Sequence, residues 1–182
     1  MLSLNDLPAN YDIDDILPAI RGGLSVDGKL YAAPFYGESS RVMYRKDLME
    51  KAGLETPKAP TWDFIAKAAR AMTDKDGEIY GACFRSKADW GKNMAFLGVM
   101  SNSFGARWFD MDLNPQFDSK EWADNLNFDV DLLNDAGLPG VPNNGFNENL
   151  ALFQTGHCGI VRNQRRKPRL GERASGNTYI AV

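Results

Sequence analysis

The first part of the chain has two short apolar runs on either side of a polar segment. Leu30 to Phe35 alternates between two sets of side chains, and Val42 to Tyr44 is a second run of β-prone residues. Period-two alternation and β-prone composition are typical of strands. We therefore predict two strands that flank the polar segment 36–40.

A capped helix is predicted directly after the second strand. Asp47 suits the N-cap position, and Glu50 three residues later completes a capping-box pattern. Gly53 is predicted to end this helix in the left-handed conformation. Upstream, the pair Asp27 and Gly28 predicts a tight turn, because both residue types tolerate positive φ.

Helical periodicity alternates with strand-like runs in the rest of the chain. Thr61 is predicted to cap a helix, residues 79–84 to form a strand, and residues 94–104 to form a buried helix. Ser119 is predicted to cap a long helix, and Asn147 to cap the last helix. The apolar stripe of the long helix is predicted to be Trp122, Leu126, Val130 and Leu133. This alternation indicates an α/β fold with helices on both faces of a sheet.

Composition and charge narrow the classes of partner. The chain has 182 residues, of which 43% are hydrophobic and 25% charged, and its formal net charge is −3. These values are typical of a globular protein and favour neither nucleic acid nor an anionic membrane as partner. The balance becomes basic after Val161, where six Lys and Arg residues accompany one acidic residue. We expect residues 161–182 to be an atypical tail, either frameshifted or disordered.

The residues that most often bind metals or act as nucleophiles are few. Cys83 and Cys158 are the only cysteines, and both lie in predicted strands among apolar residues, which favours two buried free thiols. His157 is the only histidine and has no nucleophile motif beside it, so a turn residue is favoured over a catalytic triad. Residues 73–78 are acidic but lack the downstream carboxylate of a calcium loop, so no metal site is predicted.

Three segments of the chain resemble a known family. Residues 28–54 read GKLYAAPFYGESSRVMYRKDLMEKAGL, residues 60–64 read PTWDF, and residues 147–156 read NENLALFQTG. These segments are similar to the extracytoplasmic solute-binding proteins of ABC transporters, in their sugar and polyol branch. The resemblance covers residues 5–160 and implies an α/β fold of the periplasmic-binding-protein-like type II, with two lobes and a hinge.

The resemblance also implies how the chain is divided and where it works. Residues 1–36 correspond to the end of the first lobe and the approach to the hinge, and residues 37–160 to the second lobe. We therefore expect the chain to be a middle portion of a longer protein. Its first residues lack the basic and apolar segments of a secretory signal. A periplasmic location is thus expected from the resemblance alone.

A binding function follows from the same resemblance. The family implies capture of a sugar or a sugar alcohol such as mannitol or sorbitol, followed by delivery to the permease subunits of an ABC transporter. The segments APFYGES and MSNSFGARWFD resemble the polyol binders. We expect a monomer with no cofactor, no catalytic residue and no nucleic-acid partner.

A polyhydroxylated ligand requires hydrogen-bonding groups and flat apolar faces in its binding site. Tyr36 and Glu38 in the hinge segment are predicted to provide one of each, by resemblance to related sugar binders. Phe146 and Asn147 stand at a helix start where the family often has an aromatic contact.

A second group of candidates follows the strand predicted at 79–84, where open α/β sheets place ligands. Its members are Arg85, Asp89, Trp90 and Asn93. Trp90 is predicted to stack on the ligand, and Arg85 to donate hydrogen bonds to it.

Two alternatives to a binding protein stay open. Glu38 and Asp89 could form the carboxylate pair of a carbohydrate-active enzyme, which requires the two groups to lie roughly 5–10 Å apart. A truncated product with no binding activity is the other alternative. Turnover of glycosides would favour the enzyme, and the absence of any ligand-dependent melting shift would favour the truncated product.

Overall fold

The described part of the chain forms two compact units. The computed structural model describes residues 7–8, 10–34, 40–89, 91–164 and 179–181. The two units comprise residues 1–39 and residues 40–182. No helix among the described residues is long and apolar enough to cross a bilayer.

The first unit contains a short helix and a hairpin. Its elements are a 3-10 turn at Ile13–Asp15, helix α1 (Pro18–Gly23), and strands β1 (Ser25–Val26) and β2 (Lys29–Leu30). The two strands are antiparallel, and Asp27 and Gly28 between them have φ of 50° and 73°, which confirms the predicted turn. β2 ends at Leu30, so the strand prediction is wrong for residues 31–34, and Phe35 lies outside the described residues.

The second unit is an α/β unit built on one mixed sheet. Its helices are α2 (Lys46–Lys51), α3 (Trp62–Met72), α4 (Asn93–Ser103), α5 (Lys120–Ala136) and α6 (Phe146–Gln154), with a 3-10 turn at Val141–Asn143. Its strands are β3 (Ser40–Arg45), β4 (Tyr80–Cys83), β5 (Cys158–Gln164) and β6 (Tyr179–Ala181). The strand order is β4-β5-β3-β6, with β4 parallel to β5 and β3 antiparallel to both of its neighbours. The predicted α/β class is confirmed.

α3 packs directly on β4. The predicted cap is confirmed, because the Phe64 N–H donates to Thr61 Oγ1 at 3.2 Å. The apolar residues that recur at helical spacing in α3 are all buried: Ile65, Ala68, Ala69 and Met72. A Cβ at Gly81 of β4 would lie 1.8 Å from the Ala69 carbonyl oxygen. Only glycine at this position therefore allows the helix to lie this close to the strand.

Two of the predicted N-caps are wrong. α2 is preceded by Arg45, and Asp47 lies in its first turn, where both carboxylate oxygens accept from the Arg45 guanidinium at 2.8 and 2.6 Å. The arginine partner removes Asp47 from the capping role and lowers the pKa of its carboxyl group. α6 is preceded by Gly145, so Asn147 is its second residue. The left-handed end of α2 is confirmed at Gly53, with φ of 67°.

The buried face of α5 differs from the predicted stripe. The Ser119 cap is confirmed, since its Oγ accepts the Trp122 N–H at 3.4 Å. Leu126 and Val130, however, are 43% and 54% exposed. The buried residues are Trp122, Asn125, Leu132 and Ala136. The rotation follows from aromatic packing, because Phe128 on this helix contacts Phe104 at a ring distance of 5.3 Å.

The prediction of two free thiols is wrong. Cys83 and Cys158 form a disulfide with a Cα–Cα distance of 5.9 Å, and both residues are fully buried. The bond joins β4 to the neighbouring strand β5. The prediction rested on the local surroundings of each cysteine. The pairing instead depends on two strands whose cysteines are 75 residues apart in sequence.

The last strands extend into the segment that the composition set apart as a basic tail. β5 continues past Val161 to Gln164, where it pairs with Ser40 of β3. β6 pairs with β3 through Met43, Tyr44 and Arg45. Most of residues 161–182 lie outside the described part of the chain.

Candidate functional site

The carboxyl ends of the parallel strands define one edge of the sheet. Cys83 at the end of β4 pairs with Val161 of β5, and Ser40 at the start of β3 pairs with Gln164 at the end of β5. The chain therefore leaves β4 and enters β3 at the same edge. In open α/β sheets this is the edge where ligands bind.

Two loops meet at this edge and are called the loop pair: residues 84–92 after β4, and residues 138–145 before α6. The backbone N–H groups of Ser86 and Lys87 both donate to the Asn144 carbonyl oxygen at 3.1 Å. Because these bonds join the two backbones, they do not depend on the identity of the side chains in either loop. The start of α6, with Phe146 and Asn147, is thereby placed beside the loop that contains Arg85 and Asp89 and that leads into Asn93 at the start of α4.

Arg85 braces the first loop from inside. The residue is only 7% exposed, and its Nη1 donates to the Gly91 carbonyl oxygen at 3.0 Å. A guanidinium that crosses a turn in this way fixes the path of the backbone around it. Arg85 thus supports the loop, in addition to the ligand-donor role that was predicted for it.

Asp89 and Asn93, the first residue of α4, form a polar tip where the same loop meets the helix. Asn93 Oδ1 accepts the Asp89 N–H at 3.0 Å, and Asp89 Oδ1 accepts the Gly91 N–H at 3.3 Å. Lys92 Nζ donates to Asp89 Oδ2 at 3.0 Å, and the Asp89 side chain is exposed. The tip therefore presents an anchored carboxylate beside an ammonium group to solvent.

The start of α6 carries a carboxylate that sequence reasoning missed. Glu148 Oε2 accepts the Gly145 N–H at 2.9 Å. Backbone hydrogen bonds from Glu148 itself and from Gly145 lower the pKa of Glu148, and the charges of Lys87 and Lys92 lower it further. The position of Glu148, three residues after Gly145, was a usable capping-box signal. Asn147 is exposed and Phe146 is half-buried.

Lys92 was also missed as a residue that reaches both loops. Its Cδ lies 3.5 Å from the point where a Cβ on Gly145 would stand, while its Nζ pairs with Asp89. No local pattern indicated this role, because Lys92 and Gly145 are distant in sequence. The site therefore contains three ionic side chains: Asp89, Lys92 and Glu148.

Three of the eight predicted site residues lie outside the described residues: Tyr36, Glu38 and Trp90. The other five, Arg85, Asp89, Asn93, Phe146 and Asn147, are brought together by the loop pair. Tyr36 and Glu38 precede Ser40, which lies at the same edge of the sheet.

A cavity of about 540 Å³ in the second unit shares residues 138–142 with the second loop of the loop pair. It is lined by the end of α5, by Lys75 and Tyr80 near the start of β4, and by residues 137–142. None of the eight predicted site residues lines it. Its walls are mainly apolar, which suits a polyol poorly, so the polar side chains of the first loop and of the start of α6 are the better candidate. Within the described residues, no group of three His, Cys, Asp or Glu side chains could hold a metal ion.

Comparison with known proteins gives a consistent family. The family described as bacterial extracellular solute-binding proteins matches residues 1–165. The mannitol-binding protein of Pseudomonas aeruginosa is 51% identical over 157 residues, which are 86% of this chain and 36% of that protein.

Solved structures agree with this. An ABC transporter solute-binding protein from Agrobacterium vitis S4 with bound D-mannitol is 64% identical, with a TM-score of 0.74 over 86% of this chain and 38% of its own. A solute-binding protein from Agrobacterium radiobacter K84 in complex with ribitol is 25% identical, with a TM-score of 0.70 over 84% of this chain and 38% of its own. This chain spans little more than a third of the length of these relatives.

Proposed function

The chain belongs to the family of bacterial extracellular solute-binding proteins, and we propose that it is part of a receptor that binds a linear sugar alcohol, with mannitol as the preferred ligand. The observation that carries this proposal is the similarity over 86% of the chain to two proteins that are described with mannitol. We propose that the complete protein delivers the polyol to an ABC permease and does not convert it chemically.

The chemistry of the loop pair supports a polyol as ligand. A linear polyol presents a row of hydroxyl groups, each of which can donate and accept a hydrogen bond. The exposed Asp89 carboxylate can accept from such groups, and Asn147 can both donate and accept. Hydrogen bonds to a charged acceptor are worth about 1.5–3 kcal/mol, so the carboxylate is the stronger contact. Lys92 Nζ beside it adds a donor.

We assign the remaining predicted residues to the same ligand. Phe146 would offer an apolar face to the carbon chain of the polyol, and Trp90 would stack on it from the first loop. Glu38 would accept hydroxyl hydrogens, with Tyr36 as a second aromatic contact. Arg85 would donate to the ligand from the base of the loop that it also braces.

The disulfide supports an extracytoplasmic location. Structural disulfides persist in the periplasm and outside the cell, whereas thiols in the bacterial cytosol are kept reduced. The bond between Cys83 and Cys158 therefore fits a protein that folds after export. We propose the periplasm as the place where the receptor works.

Titration calorimetry on the 182-residue chain tests the proposal. We expect D-mannitol to release heat with a saturable isotherm, sorbitol and ribitol to bind more weakly, and maltose to bind weakest. Asp89→Asn and Asn147→Ala should each lower mannitol affinity by about tenfold. Asp76→Asn is the matched control, since Asp76 is exposed in a turn outside the loop pair.

Two results would contradict the proposal in different ways. Absence of both a binding isotherm and a mannitol-dependent melting shift would favour a truncated product with no binding activity. Release of product from glycosides, lost in Asp89→Asn, would favour a carbohydrate-active enzyme.

A further inference from the structure

Asn149 on α6 has a buried side chain that makes no hydrogen bond to the described residues. The residue is only 2% exposed, and both its Nδ2 and its Oδ1 are buried without a partner in the described part of the chain. A buried carboxamide normally makes several hydrogen bonds, and leaving both ends unpaired is costly. A small polar group that can donate and accept at the same time would satisfy both atoms.

The place of Asn149 in the fold connects it with the loop pair. Phe153, four residues later, packs in one apolar cluster with Cys83 and Val161. Because residues four apart share a helix face, Asn149 lies on the same face, one turn closer to the start of α6. That start is where Asn144 accepts hydrogen bonds from the loop that follows β4. Asn149 therefore lies on the face of α6 that carries Phe153, one turn nearer to the loop pair.

A second asparagine provides an internal comparison. Asn125 on α5 is fully buried, and both its side-chain amide atoms are also unpaired among the described residues. It lies near the far end of α4, because its helix neighbour Phe128 contacts Phe104, which directly follows α4. The first loop leads into the opposite end of α4, at Asn93. The two asparagines thus share burial and lack of partners but differ in distance from the loop pair.

We propose that Asn149 is a specificity-determining residue of the polyol site, whose carboxamide binds a hydroxyl oxygen at the inner side of the loop pair. This inference rests on the proposed function. The oxygen belongs either to a hydroxyl group of the polyol or to a water molecule that bridges Asn149 and the loops. In both cases the Asn149 amide gains a hydrogen-bond partner when the polyol is bound.

The test compares Asn149→Leu with Asn125→Leu, which are similar in volume change and burial. We expect Asn149→Leu to lower mannitol affinity by at least about tenfold, while the Tm of the ligand-free chain stays the same or rises. Asn125→Leu should leave affinity unchanged, with the same or a higher Tm. Calorimetry and ligand-free thermal melts measure the two quantities.

Mannitol analogues that each lack one hydroxyl group distinguish the two sources of the oxygen. If the polyol provides it, one analogue will bind equally to the original chain and to Asn149→Leu. If a bridging water provides it, the substitution will weaken all analogues by a similar factor. Both results support the role of Asn149.

Three results would overturn the inference. Unchanged mannitol affinity in Asn149→Leu would show that the amide does not serve the ligand. A lower Tm together with weaker binding would assign Asn149 a purely structural role. Equal losses of affinity in both leucine variants would remove its connection with the loop pair. Failure of the unsubstituted chain to bind any polyol is a different result, since it would overturn the proposed function itself.

Discussion

Strand β4 and the loop beyond its carboxyl end are held in place by different physical interactions. Gly81, within the strand, lies against the backbone of α3, in a contact that leaves no room for a methyl group. The loop beyond the carboxyl end is held by two backbone hydrogen bonds to Asn144 and by the Arg85 side chain. The position of α3 on β4 depends on side-chain volume, whereas the position of the loop depends on hydrogen bonds. We therefore expect substitutions that enlarge a side chain to lower stability where α3 packs on β4. Substitutions that remove a charge in the loops should chiefly lower ligand affinity.

The largest effect is expected at the contact between α3 and β4. Gly81→Ala should lower the free energy of unfolding by at least about 4 kcal/mol, because the new Cβ would overlap the Ala69 carbonyl group and backbone must move. Urea denaturation measures the change. Gly91→Ala, in the first loop, is the control, since nothing lies within 4 Å of its added Cβ. Similar stability losses in both variants would contradict the comparison.

The second largest effect on the free energy of unfolding is expected from removal of the disulfide. Replacing Cys83 and Cys158 together with alanine should lower the free energy of unfolding by about 3 kcal/mol, because the unfolded chain loses a long covalent loop. Denaturation of both proteins with and without a thiol reductant measures it. The reductant should affect the original chain and leave the double variant unchanged. Two titratable thiols in the unreduced, denatured chain would contradict the disulfide.

Asp129 on α5 is expected to make stability depend on pH. Burial raises the pKa of Asp129 from 3.8 to about 6, and its Oδ1 has no partner in the described structure. The folded state therefore holds a proton that the unfolded state releases, so stability is fully present below pH 4 and decreases as the pH rises to about 6. Asp129→Asn should raise the free energy of unfolding at pH 7.5 by about 2 kcal/mol.

Asp131→Asn on the same helix is the control for Asp129, because Asp131 is exposed. Urea denaturation at pH 4, 5, 6 and 7.5 should show a difference between Asp129→Asn and the original chain that grows with pH. A constant difference across this range would contradict the assignment.

The smallest stability effect is expected at the loop pair. Lys92→Met should change the free energy of unfolding by less than about 1 kcal/mol, because the pair with Asp89 is partly exposed. Mannitol affinity should nevertheless decrease, since Lys92 reaches both loops. Lys120→Met, which removes the exposed pair with Asp124 on α5, should change neither quantity noticeably. Equal affinity in the two variants would contradict the special position of Lys92.

Features that depend on neighbours in sequence were predicted well. The Thr61 and Ser119 caps, the turn at Asp27 and Gly28, and the buried positions of α3 all follow from a few consecutive residues. The two wrong N-caps show that a short sequence pattern does not always predict the start of a helix. At Asp47 an arginine side chain competes for the carboxylate, and at Asn147 the helix has already begun at Phe146, after the Gly145 N-cap. The face that α5 buries was decided by aromatic residues on other elements, such as Phe104.

Five of the predicted site residues lie at or beside the loop pair, but the contacts that hold them there could not be predicted. Resemblance pointed to Arg85, Asp89, Asn93, Phe146 and Asn147 as ligand residues, a role that stays a prediction. Sequence could not indicate that the Arg85 guanidinium braces its own loop. It also could not indicate that Lys92 spans to Gly145, since that contact exists only after the two loops meet at Asn144.

By itself the sequence determined the α/β class, the family, and most helix and turn boundaries, because short-range periodicity, caps and family segments are encoded in adjacent residues. The fold was needed to show that the two cysteines pair, which side of α5 is buried, and that the Asn125 and Asn149 amides have no hydrogen-bond partner among the described residues. The physical reason is that burial and pairing are properties of contacts between distant segments. Those contacts are formed when the sheet brings strands together that are far apart in the chain.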